Sequence, residues 1–205
     1  MTVSLPPAVT AATGVDALTH CIEAYANKYS HTMIDPYALQ GIRLISANLR
    51  RAVANGSNLE ARSAMLLGSL YGGLCLGPVN TGAVHALSYP LGGEFHVAHG
   101  VSNSVLLPHV LAFNLPAAPG RYADIAIAMG VEPRASETET AEAGIEEIRT
   151  LSNECGIPAG IVEFGVPKDA IPGMVESAMK VTRLLRLNPR EVTPADAEAI
   201  YLSAY

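Results

Sequence analysis

Proline and glycine cut this chain into pieces of helical length, and the apolar residues within those pieces recur at three- and four-residue steps. No run alternates β-branched and polar residues for long enough to argue for a sheet, so the expected class is all-α, a helical bundle. A first helix is expected to start near Thr13 or Gly14 and to run through VDALTHCIEAYANK, with Val15, Leu18, Ile22 and Tyr25 on one stripe. Asp35-Pro36 reads as an N-cap with proline at the first helical position, opening PYALQGIRLISANLRRAVANG, which stops at Asn55-Gly56. The next segment, NLEARSAMLLGSLYGGLCLG, is apolar nearly all round and rich in glycine, as expected of a helix in the centre of a bundle. It ends at Gly77-Pro78.

Thr81 to Tyr89 reads as a short buried helix closed by Pro90 and Gly92-Gly93, and another helix is expected from about Gly100 through SNSVLLPHVLAFN. The loop LGGEFHVAH lies between them. Beyond Pro116 the segments RYADIAIAMG, AEAGIEEIRTLSNECG, KDAIPGMVESAMK and TPADAEAIYLSAY have the pattern of surface helices and read as scaffold. The polar stretch EPRASETET is the one candidate linker, and the chain has the same helical character on both sides of it. Residues 1–205 are therefore expected to form a single domain.

Composition narrows the function. At 49% hydrophobic and 16% charged, with mean hydropathy +0.26, the chain is more apolar than a usual domain, and part of its surface is expected to meet a partner. No window offers the roughly 18 uninterrupted apolar residues of a membrane span, and the N-terminus lacks a basic stretch followed by an apolar one. A soluble, cytoplasmic protein with no membrane partner is the expectation. A net charge of −6 without a Lys/Arg cluster gives no footing on a phosphate backbone, so nucleic acid is not an expected partner. Cys21, Cys75 and Cys155 are odd in number and widely spaced, which reads as buried thiols and not as a disulfide framework or a CxxC site.

Asp16 and His20 are four apart on the first expected helix, so both side chains stand on one face, a turn apart. Alone, such a pair is most often an ordinary surface contact. The stretch TGAVHALSYPLGGEFHVAHG adds His85, His96 and His99 within fifteen residues that are otherwise mostly Gly, Ala, Leu and Val, where buried imidazoles need partners. Asp16, His20, His85 and His99 together make a four-ligand set of one oxygen and three nitrogen donors. That set suits Fe²⁺, Zn²⁺, Co²⁺ or Ni²⁺ and disfavours Ca²⁺ and Mg²⁺. His96 is the alternative to His99. His31, in a polar turn, and His109, at an expected helix start after Pro108, read as structural. Tyr89, one turn after His85, is placed either as a phenolic donor to a substrate oxygen or as pocket lining, and Glu23 either orients His20 or is a plain helix-face charge.

Two blocks, TAATGVDALTHCIEAY and TGAVHALSYPLGGEFHVAHGVSNSVLLPHVLAFN, resemble the signature regions of the iron-containing (group III) alcohol dehydrogenases. The resemblance continues through RYADIAIAMG, GIPAGIVEFGV and NPREVTPADAEAIYLSAY. It implies a helical domain of the dehydroquinate-synthase-like type, with Asp16, His20, His85 and His99 as ligands of one divalent metal, Fe²⁺ before Zn²⁺. In some members a further His stands where this chain has Tyr89, near the nicotinamide and the substrate.

The resemblance also implies an activity: NAD(P)-dependent interconversion of a small alcohol and its aldehyde or ketone, in a homo-oligomer. Members carry an N-terminal α/β dinucleotide-binding domain with a glycine-rich pyrophosphate turn. Here Gly72-Gly73 and Gly92-Gly93 follow no expected strand and make no GxGxxG, so that domain is expected to be absent and the chain to be the metal-binding half. Two other readings stand beside this one. A helical metallohydrolase would use the same ligands on water, although no adjacent His-Asp pair is present, and a non-catalytic metal-binding or assembly module would need no cofactor.

Overall fold

Two prolines decide where the first helix begins. In the computed structural model, which describes residues 2–205, α1 (Pro7–Ala26) starts with Pro7 at its first position, where a missing N–H costs nothing. The start is two turns earlier than the sequence reading placed it. Gly14 is an interior packing position and no start signal, since a Cβ there would lie 2.4 Å from Leu49 Cδ1. Most of α1 is buried. Past its first turn, the side that stays wet is the stripe Thr13, Asp16 and His20.

α2 (Asp35–Ala54) has Ile34 as its N-cap, so the expected capping role of Asp35 is corrected. Its carboxylate accepts instead from Arg121 Nη1 at 2.6 Å, and the same guanidinium lies over the Tyr25 ring. α3 (Leu59–Leu76) is capped by Asn58, whose side chain accepts from the Ala61 N–H. Its expected place in the centre of the bundle is also corrected. Gly68 and Gly72 let it lie close on α2 and α1, while Leu66, Leu67, Leu70 and Leu74 on its other side are 40–57% exposed. A helix apolar all round is here buried on one side only.

α4 (Ala83–Phe95) runs straight through Pro90 and Gly92-Gly93, which were expected to end it. Proline removes the internal donor to the Ala86 carbonyl, and at the next carbonyl, that of Leu87, the Tyr201 hydroxyl donates at 2.6 Å. The stop comes at His96, the left-handed C-cap residue, with φ 57°. α5 (His99–Asn114) therefore begins on His99 itself and passes through Pro108, so His109 is a mid-helix residue and not at a helix start.

The remainder is α6 (Pro119–Ala128), α7 (Glu137–Glu154), α8 (Ile171–Met179), α9 (Thr182–Leu185) and α10 (Pro194–Ser203), with 3₁₀ turns at Leu115–Ala117, Ile161–Phe164 and Lys168–Ala170. No strand occurs among the described residues. α1 packs on α2 and α3 to one side and on α5 and α6 to the other, while α4 lies between α5 and α8. α6 and α7 pack on each other across the polar stretch. All three cysteines are buried and free. Among the described residues no helix is long and apolar enough to cross a membrane.

Candidate metal centre

The wet stripe of α1 faces the start of α5 and the first turns of α4. Gly100 makes this approach possible, because a Cβ there would lie 2.6 Å from the Ala12 carbonyl oxygen and 3.4 Å from Asp16 Cβ. Gly72 of α3 backs the other side, where a Cβ would come within 3.2 Å of His20 Cβ. Two helices are thus drawn onto α1 at the turns that carry Asp16 and His20.

The result is one cluster. One donor atom from each of Asp16, His20, His85 and His99 lies within 4.8 Å of the other three. Asp16 Oδ1 is 3.7 Å from both His85 Nε2 and His99 Nε2, and 4.0 Å from His20 Nε2. These separations are too long for hydrogen bonds. Metal bonds of about 2.0–2.2 Å set neighbouring tetrahedral ligands about 3.3–3.6 Å apart, so the three imidazole nitrogens stand within a few tenths of an ångström of that spacing from Asp16 Oδ1. The imidazoles of His20 and His85 are stacked at 4.7 Å.

His85 carries the least ordinary environment. It is 4% exposed, and its Nδ1 meets Glu23 Oε2 at 2.5 Å. The other oxygen of Glu23 accepts from the Val84 N–H at 2.7 Å, and Asn188 Oδ1 accepts from the Ala83 N–H, so two distant side chains cap α4. Gly82 leaves room for both. Glu23 thus orients His85 and not His20, a correction to the sequence reading. His85 Nε2 is buried without a hydrogen-bond partner among the described residues and points to the Asp16 side of the cluster. A buried orphan of this kind has a cost that a bound cation would remove.

Desolvation alone would lower both imidazoles, the buried His85 and the partly buried His20. It does so for His20, helped by the neighbouring His85. At His85 the same desolvation is outweighed by the charge and hydrogen bond of Glu23 together with Asp16, and the net direction is up.

His99 is half exposed at the head of α5, and Tyr89 is 42% exposed one turn after His85, its ring 6.5 Å from that of His99. His96 is exposed at the C-cap and stays outside the cluster; His31 is exposed as well. His109 bonds Ser203 at the other end of α5. Asn103, fully buried, is a residue the sequence reading passed over: its amide nitrogen lies 2.6 Å from Asp16 Oδ1 and 3.1 Å from His99 Nε2. The available signal was its place four residues after His99 on one helix face.

A sequence profile of the Fe-containing alcohol dehydrogenase family, C-terminal, matches residues 10–205. Long-chain-alcohol dehydrogenase 1 of Geobacillus thermodenitrificans is 44% identical over 100% of this chain and 52% of its own length. The 1,3-propanediol dehydrogenase of Klebsiella pneumoniae is 45% identical over 98% of this chain and 52% of its own length. A crystal structure of 1,3-propanediol oxidoreductase superposes with a TM-score of 0.96 at 44% identity, over 99% of this chain and 53% of that one. The chain spans about half the length of the curated relatives it matches. It belongs to the iron-containing alcohol dehydrogenase family, and its helices match that family's C-terminal domain.

Proposed function

We propose that this chain is the metal-binding half of an NAD(P)-dependent alcohol dehydrogenase that interconverts a small alcohol and its aldehyde or ketone. The observation that carries the reading is the buried Nε2 of His85, without a hydrogen-bond partner among the described residues, within a four-donor cluster. Asp16, His20, His85 and His99 would hold one divalent ion, Fe²⁺ before Zn²⁺, and such an ion supplies Lewis acidity toward a substrate oxygen. Three neutral imidazoles and a single carboxylate leave one net positive charge of a divalent ion uncancelled, which suits that task. Glu23 fixes the His85 ring so that its free nitrogen faces inward.

The half-exposed ring of His99 and the Tyr89 phenol form the open side of the site, where substrate would enter. Tyr89 is assigned the role of an O–H donor to the substrate oxygen. The hydride belongs to the nicotinamide, which the family resemblance assigns to a separate α/β domain. The 52% span of the relatives' length agrees with that division. The two relatives of near-equal identity differ in the alcohol they are named for, so the substrate is kept here at the level of its class. A cytoplasmic setting suits three free thiols.

The test is an NAD(P)-linked assay with primary alcohols and diols on metal-loaded protein, using this chain and a form that carries the dinucleotide-binding domain. Turnover by the longer form alone is expected. The leucine row on α3 favours a second reading, a metal-binding assembly module that self-associates. Bound metal without turnover in either form, together with a stable oligomer, would favour that second reading.

A further inference from the structure

Asn103 sits where an asparagine has no local reason to be. It lies in the second turn of α5 between the buried Ser102 and Ser104, with 0% of its surface exposed. Asparagine is a modest helix former, and burying its amide costs free energy unless the amide is bonded. Its partners are all in the candidate centre. The Asp16 carboxylate can only accept, so the atom 2.6 Å from Asp16 Oδ1 must be the amide NH₂. The second N–H of that NH₂ points to His99 Nε2 at 3.1 Å. The amide oxygen is left buried with no partner among the described residues. An asparagine kept only for stability would be expected to satisfy its oxygen.

We propose that Asn103 is a positioning residue of the candidate metal centre: its amide holds Asp16 in place and engages the inward lone pair of His99 that a divalent cation would take. The inference rests on the metal-site reading above. The two N–H bonds have different fates on metal binding. The one to His99 must yield, because that lone pair can serve only one partner, whereas the one to Asp16 can remain. In metal-free protein the bond to His99 also selects a tautomer, since an accepting Nε2 places the proton of a neutral ring on Nδ1. That is the tautomer able to bind metal through Nε2. Asn103 thus keeps both donors oriented before a cation arrives.

The experiment is a Co²⁺ titration followed by visible absorption, with unsubstituted protein, Asn103→Ala and the near-isosteric Asn103→Leu, alongside thermal unfolding. Partners that orient metal ligands are typically worth about 10–100-fold in affinity, and a loss of that size is expected in the variants. Equal Co²⁺ affinity in a folded variant, even one with a lowered Tm, overturns the role of Asn103 alone. Absence of Co²⁺ binding by unsubstituted protein overturns the metal-site reading and this inference together. Imidazole ¹⁵N shifts of the metal-free protein test the same point without any substitution. Protonated Nδ1 on His99 is expected, and protonated Nε2 would contradict the bond that Asn103 is assigned.

Discussion

Two regions along α5 hold imidazoles in largely apolar surroundings and treat them in opposite ways. Where the start of α5 meets α1 and α4, burial draws the affinity of His85 for protons down, yet Glu23 and Asp16 raise it overall. At the far end of the same helix, His109 finds the Ser203 hydroxyl and the positive charge of Arg149, and burial together with that charge lowers its pKa to about 4. Burial is therefore not what marks a site. The carboxylate set beside the ring is, because it supplies the charge that burial withholds. His85 is set to hold positive charge, and His109 to stay neutral.

The largest blow to this contrast should come from Glu23→Ala, which removes the charge beside His85 and leaves Nδ1 of His85 and the N–H of Val84 without a partner. Breaking a buried pair of this kind costs about 3–5 kcal/mol, so chemical denaturation should show a loss of that order. Metal binding should weaken with it. Gly100→Ala attacks the geometry instead, placing a methyl 2.6 Å from the Ala12 carbonyl oxygen. A loss of about 1–3 kcal/mol is expected, with weaker Co²⁺ binding as α5 is pushed off α1. Denaturation and titration of the same sample check both.

His109 offers a smaller effect of definite sign. Its proton is held less firmly in the folded chain, at about 4 against an ordinary 6.5, so protonation favours the unfolded state. The stability it contributes is complete above about pH 6.5 and declines as pH falls toward about 4. Discounted for partial exposure, the decline is on the order of 1–2 kcal/mol. His109→Asn should flatten that part of the stability profile, measured by unfolding across the window. Leu70→Gln on the exposed side of α3 should change stability by no more than about 0.5 kcal/mol, and an effect several times larger would mean that a partner covers that side.

Much of this was legible in the sequence. The four candidate ligands come together as their spacing and the family resemblance implied, and the helical class holds throughout the described residues. What could not be read was tertiary. Asp35 looked like a cap, but Arg121 claims its carboxylate from a remote helix. Pro90 looked like a stop, but α4 runs past it, and the true stop is the left-handed backbone of His96. The leucines of α3 looked central because composition does not say which side of a helix meets its neighbours. Glu23 sits among apolar residues in sequence and Asn103 between two serines, and only the packing shows what each one holds.

The central claim is that Asp16, His20, His85 and His99 hold one divalent ion. Metal stoichiometry tests it most directly, measured on protein loaded anaerobically with Fe²⁺ or with Zn²⁺ and freed of excess ion. About one ion per chain is expected in the unsubstituted protein, with loss of that ion in the doubly substituted His85→Ala/His99→Ala protein. The same metal content in both proteins, or none in either, would contradict the account.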